Sequence, residues 1–182
     1  MQARSIPVAR PGPLRLAHRG DWRVAPENTL AALLAAMRIP ACDGVEFDVR
    51  LSADGVPVVL HDETLARVQG RPGRADGLTA AALADLAVPS LAAVLAALPS
   101  GAFLDVELKG EDHGDATAAV LLAGRGAAGS RAVVSSFEPP TLAAMADRLP
   151  GWGRWLNADD LAPATVSLAL GLATGWIMFR SD

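Results

Sequence analysis

Two short runs carry charge where a strand usually carries Val or Ile. Gly44 to Leu51 reads GVEFDVRL, and Phe103 to Lys109 reads FLDVELK. Side chains at i and i+2 of a strand share one face. Glu46 and Asp48 are therefore expected on one face, with Val45, Phe47 and Val49 on the other. In the second run Asp105, Glu107 and Lys109 oppose Leu104, Val106 and Leu108. Charges on a covered parallel strand are costly unless paired or bound to metal. Glu46, Asp48 and Glu107 would give an all-oxygen donor set from two strands, suited to one Mg²⁺ or Ca²⁺ ion. Zinc fits poorly, because the ligands are not His or Cys and the single cysteine, Cys42, rules out a thiolate cage. Two plainer readings compete: a solvated face on a half-exposed hairpin for the first run, and a structural ion pair with Lys109 for the second.

Two histidines stand at the ends of apolar runs, His18 in LAHRG and His61 in VVLHD. Beside three carboxylates they form a candidate acid/base pair next to a metal, although a histidine at a strand end also suits a purely structural part. Arg19 and Lys109 supply positive charge for an anion, and an arginine can hold phosphate through two bonds. Pro26-Glu27-Asn28-Thr29 reads as a helix start with Asn28 or Thr29 as cap. Its positive end and Glu27 would then lie beside the metal site. His113, in KGEDHGD, reads as a solvated loop residue.

These side chains need a scaffold that gathers them. Strand-like runs occupy 14–18, 44–51, 56–60, 103–108, 131–135, 152–157 and 176–179, and helical ones 28–37, 79–86, 90–98, 115–124, 140–148 and 160–170. That alternation is the pattern of an α/β fold with a mainly parallel sheet. The turn SADGV breaks it, since Asp54-Gly55 suits a tight hairpin and is too short for a parallel crossover. Residues 56–61 should run back antiparallel to 46–51, bringing His61 level with Glu46 and Asp48. Setting that arm aside leaves six main strands.

With 182 residues, 51% of them hydrophobic, the chain can form one domain over 1–182 with a sizeable core. A net charge of −4 argues against a nucleic-acid surface. The first twenty residues hold no apolar leader segment, from which a cytoplasmic address is expected. Leu161 to Phe179 carries no charge and has the length of a membrane span, but Pro163, Gly171 and Gly175 favour a helix followed by a buried strand.

HRG (18–20), PENT (26–29), VEFDV (45–49), DGVPVVLHD (54–62), VPSLAAVL (88–95), FLDVELK (103–109) and VVSSF (133–137), in this order, resemble the glycerophosphodiester phosphodiesterase family. The resemblance covers about residues 14–140. It implies a (β/α)₈ TIM-type barrel with its site at the C-terminal ends of the strands, and a hairpin excursion after the second strand carrying a catalytic histidine. It also implies hydrolysis of glycerophosphodiesters, such as glycerophosphocholine, to sn-glycerol 3-phosphate and an alcohol with Mg²⁺ or Ca²⁺. Motif by motif, the resemblance implies Glu46, Asp48 and Glu107 as metal ligands and His18 and His61 as the acid/base pair. Glu27 would line the site, and Arg19 and Lys109 would contact phosphate. Lysophospholipase D-like and phospholipase C-like enzymes share this arrangement and stand as alternatives. The family's later Trp-Thr-Val-Asn-like and Thr-Asp-like motifs are missing. The expectation is therefore about six of eight βα units, with parallel edges that an oligomer could cover. An inactive remnant is the competing outcome.

Overall fold

The computed structural model describes residues 13–111, 113–129, 131–160 and 162–172, and the backbone of 176–179. Strand β1 (Leu16–His18) is followed by helix α1 (Leu30–Ala36), β2 (Gly44–Leu51), the hairpin strand β3 (Pro57–Val59), and the short helices α2 (Ala66–Gln69) and α3 (Ala80–Ala84). Then come α4 (Leu91–Ala97), β4 (Phe103–Leu108), α5 (Asp115–Arg125), β5 (Ala132–Ser136), α6 (Pro139–Arg148), β6 (Gly153–Ala158), α7 (Pro163–Gly171) and β7 (Trp176–Phe179). A 3₁₀ turn spans Ala75–Gly77.

The sheet order is β1-β2-β4-β5-β6-β7, with every neighbouring pair parallel. Among the described residues β1 and β7 do not pair, so the path stays open with six parallel strands where a complete (β/α)₈ barrel has eight. As the turn chemistry predicts, β3 runs antiparallel to β2, with Val49 opposite Val59 and Leu51 opposite Pro57. Helix α2 and the 3₁₀ turn have no counterpart in the sequence reading.

The alternation seen in the sequence is the division between core and site. Val45, Phe47, Val49, Leu104, Val106 and Leu108 are fully buried on the outer face of β2 and β4, against Leu33, Leu91, Val94 and Leu121 of the helices. Burial of that order stabilises by about 1.5–3 kcal/mol per large side chain. A second cluster under the hairpin, around Val58, Leu60, Leu65, Leu83 and Val88, anchors the excursion. Helix starts follow capping chemistry: the hydroxyls of Thr29, Thr79 and Ser90 accept from Ala32, Ala82 and Ala93 N–H. Gly44 is needed for close approach, because a Cβ there would lie 1.9 Å from the Phe103 carbonyl oxygen.

Between 161 and 179 the structure has α7 and then β7, the helix-then-strand alternative. Among the described residues no helix is long and apolar enough to cross a membrane.

Candidate active site

Parallel register sets the acids side by side. Glu46 on β2 pairs with His18 on β1 and with Asp105 on β4, and Asp48 pairs with Glu107. One oxygen each from Glu46, Asp48 and Glu107 lie within 4.8 Å of one another, and all three residues are buried. Burial, followed by repulsion from Asp48, Asp105 and Glu107, pushes the Glu46 carboxyl well above the usual carboxylate range. Asp105 is pushed up to about 7, chiefly by burial, against the bond that Ser135 Oγ donates to its Oδ1 at 2.6 Å.

Two cations and an amide brace this cluster. Arg19 Nε lies 3.1 Å from Asp48 Oδ2, its NH1 donates to Glu27 Oε1 at 3.0 Å, and its backbone N–H donates to Glu46 Oε2 at 3.2 Å. Lys109 Nζ donates to Glu107 Oε1 and lies 3.4 Å from Asp48 Oδ1. Asn28 Nδ2 donates to Asp48 Oδ2 at 2.8 Å, and the Asp48 N–H donates back to Asn28 Oδ1 at 3.3 Å. Arg19 and Asn28 both adopt positive φ, 58° and 59°, and are linked by the Asn28 N–H to the Arg19 carbonyl at 3.0 Å. Backbone in that region is unfavourable for side-chain-bearing residues and persists where the surroundings demand it.

Even so braced, Glu46 Oε1 and Asp48 Oδ1 are buried without a hydrogen-bond donor. Converging hard oxygens with unmet acceptor capacity fit a divalent cation of the Mg²⁺ or Ca²⁺ kind. Glu46, Asp48 and Glu107 are the residues that could hold it.

One imidazole flanks the acids, and the second lies within electrostatic reach of the first. His18 Nε2 is 3.7 Å from Glu46 Oε2, with half its side chain open to solvent, and its ring centroid is 5.9 Å from that of Trp22. Partial burial, with Arg19 next, holds the His18 pKa below its ordinary value. His61 Nδ1 lies 2.7 Å from Asp62 Oδ1, which leaves Nε2 as its free nitrogen. Arg67 ties Asp62 to Glu27, donating to the two carboxylates at 2.7–2.9 Å. These bonds from Arg67 hold both acids below the usual carboxylate range.

The model of the glycerophosphoryl diester phosphodiesterase family matches residues 18–166. The chain belongs to that family. A glycerophosphodiester phosphodiesterase from Caldanaerobacter subterraneus subsp. tengcongensis is 52% identical over 60 residues, covering 33% of this chain and 24% of the relative. Glycerophosphodiester phosphodiesterase 1 of Bos taurus is 48% identical over 64 residues, covering 35% of this chain and 19% of the relative. Each match thus spans a quarter or less of the relative's own length. In the same family, the crystal structure of the Thermotoga maritima glycerophosphodiester phosphodiesterase superposes with a TM-score of 0.77 at 26% identity, covering 94% of this chain and 75% of that one. An Oleispira antarctica phosphodiesterase in complex with the product sn-glycerol-3-phosphate gives 0.77 at 27%, covering 92% and 74%.

Within this family frame the structure draws together Glu46, Asp48, Glu107, Arg19, Lys109 and Glu27, with His18 at the rim; His61 reaches Glu27 through Asp62 and Arg67. Three contributors were not read from the sequence. Asn28 sits over Asp48 while Thr29 alone caps α1, and Asp62 and Arg67 form the brace behind His61. Asp62 adjoins His61 in sequence and Asn28 lies in the PENT motif, both usable signals; Arg67 offered none. His113 corrects the sequence reading. It is not solvated but buried, Nδ1 lying 3.1 Å from Thr117 Oγ1 and Nε2 3.1 Å from the Lys109 carbonyl oxygen, and burial lowers its pKa. Thr117 of α5 and the Lys109 carbonyl hold the ring between them.

Proposed function

We propose that this chain hydrolyses glycerophosphodiesters to sn-glycerol 3-phosphate and an alcohol. The observation carrying this reading is the convergence of three buried carboxylates on β2 and β4 beside an imidazole from β1. Bound by Glu46, Asp48 and Glu107, a Mg²⁺ or Ca²⁺ ion would act as a Lewis acid on the phosphoryl group. Arg19 and Lys109 hold charge on the phosphoryl oxygens in place, already oriented by Glu27, Asp48 and Glu107. His18, neutral near pH 7 because burial lowers its pKa, accepts the proton of the attacking water or of the substrate's own 2-hydroxyl. In the second case water then opens the resulting cyclic phosphate to give glycerol 3-phosphate. His61, its Nδ1 held by Asp62, presents Nε2 to donate a proton to the departing alkoxide. Asp62 fixes the orientation of the ring, and Arg67 keeps Asp62 in place.

The test is release of glycerol 3-phosphate from glycerophosphocholine with Mg²⁺, with Ca²⁺ and with EDTA. Turnover lost in EDTA and in both His18→Ala and His61→Ala supports the reading. Hydrolysis indifferent to EDTA and to both substitutions, or none under any condition, overturns it in favour of a chain that folds without turnover.

A further inference from the structure

Beyond the metal ligands, β2 carries a third charged side chain on the same face. Glu46, Asp48 and Arg50 alternate with the buried Val45, Phe47 and Val49, so Arg50 lies roughly 7 Å past Asp48 toward the strand's C-terminal end. It lines a cavity of about 190 Å³ with Glu63, Arg74, Asp76, Lys109, His113 and, at its exposed margin, Glu111. The charges there are mostly committed to one another. Arg74 holds Glu63 at 2.8 Å and Asp76 at 2.8 Å, Lys109 is engaged by Glu107 and Asp48, and both His113 nitrogens have partners. Arg50 is different. Its Nε donates to the His61 carbonyl oxygen at 2.7 Å, and among the described residues no carboxylate forms an ion pair with it. Glu63, Asp48, Glu138 and Asp62 act on it across space without pairing with it, and a half-buried guanidinium unpaired among the described residues, on the wall of a cavity, is an anion-recognition element.

Its place relative to His61 says which part of a substrate would meet it. Resting on the phosphodiesterase reading above, the alcohol protonated by His61 departs on the His61 side, and Arg50 is bonded to the His61 backbone. We propose that the Arg50 cavity receives the leaving alcohol and that Arg50 selects alcohols bearing an anionic substituent, a carboxylate or a phosphate. Arg50 is thus a specificity-determining residue. Its bond to the His61 carbonyl couples a filled cavity to the position of the imidazole.

The test compares kcat/KM for glycerophosphoserine (carboxylate), glycerophosphoinositol 4-phosphate (phosphate) and glycerophosphoglycerol (neutral) in wild type, Arg50→Gln and Arg50→Lys. Wild type should prefer one or both anionic head groups over the neutral one by about tenfold or more, the worth of a charge-assisted bond. The arm that shows the preference identifies the group read. Arg50→Gln should abolish that preference, and Arg50→Lys should keep part of it. Loss of the His61 brace lowers all three substrates together and leaves the ratios unmoved, so unchanged ratios overturn the proposal. A readout independent of turnover is calorimetric binding of glycerophosphoserine, glycerophosphoinositol 4-phosphate and glycerophosphoglycerol to His18→Ala protein with and without Arg50→Gln. Equal affinities for all three sink the Arg50 proposal, whereas no turnover of any head group by wild type sinks the phosphodiesterase reading alone.

Discussion

Replacing Glu46 by Gln should make the metal-free protein more stable while ruining its response to metal. Each pair of ionised carboxylates at 4.8 Å repels by about 3.5 kcal/mol if the effective dielectric constant is about 20. Arg19 and Lys109 offset part of this, since both lie within ion-pair distance of the cluster. A net gain of about 1–2 kcal/mol is expected on removing one charge, which raises Tm by about 2–4 °C for each kcal/mol in a chain of this length. The Gln carbonyl still accepts the Arg19 N–H that Glu46 Oε2 accepts at 3.2 Å, so packing and bonding change little. With metal the sign reverses. Wild type should gain about 2.7 kcal/mol at a hundredfold excess of Mg²⁺ or Ca²⁺ over Kd, and the variant should lose most of that gain. Thermal unfolding followed by circular dichroism, in EDTA and across a metal titration, reads both effects. A Glu46→Gln protein that melts lower in EDTA yet keeps the full metal-induced shift would refute the reasoning. It would mean that Glu46 belongs to a structural ion-pair cluster.

Asn28→Ala should cost about 2–3 kcal/mol, because it removes both bonds to Asp48 and leaves a Cβ-bearing residue at positive φ. Asn28→Gly loses the same bonds but not the favourable backbone, so urea unfolding should place it about 1 kcal/mol above the Ala variant. Gly44→Ala forces a Cβ into the Phe103 carbonyl oxygen and should break the β2–β4 register; soluble yield and near-ultraviolet circular dichroism should both collapse. Arg67→Gln removes the bonds that depress Glu27 and Asp62. A carboxyl with a depressed folded pKa stabilises above its unfolded value and stops doing so as pH falls through the folded one. The variant should therefore melt lower than wild type at pH 6–8, by a modest margin because Arg67 is half exposed, with the gap closing below about pH 4. A gap that stays constant from pH 3 to pH 8 would contradict this.

The legible part of the site was the part written in strand periodicity. Glu46, Asp48 and Glu107 announce themselves because a period of two separates them from Val45, Phe47 and Val106, and parallel register does the rest. The hairpin was legible for a local reason as well, the Asp54-Gly55 turn. The PENT motif marked Asn28, but its bonding to Asp48 was hidden because its backbone is set by a bond to the Arg19 carbonyl, a tertiary constraint that overrides its preference for a helix cap. Burial of His113 was hidden for the same kind of reason: its partners, Thr117 and the Lys109 carbonyl, lie within four residues, but only the folded loop turns them inward. Arg67 reaches Glu27 across 40 positions, beyond the reach of any periodic signal.

One further consequence lies in how β2 changes neighbours along its length. Gly44 to Glu46 pair with β1, whereas Val49 to Leu51 pair with β3. Two separate arms thus dock on a single rail, each delivering one imidazole: the first through the Arg19 N–H on the Glu46 carbonyl, the second through the Leu60 N–H on the Asp48 carbonyl. The segment from 68 to 72 lies outside both pairings and holds neither Asp62 nor Arg67, so its length is not tied to the register that gathers the acids. Gathering the acids and delivering the two imidazoles are then separate tasks carried by successive stretches of one strand.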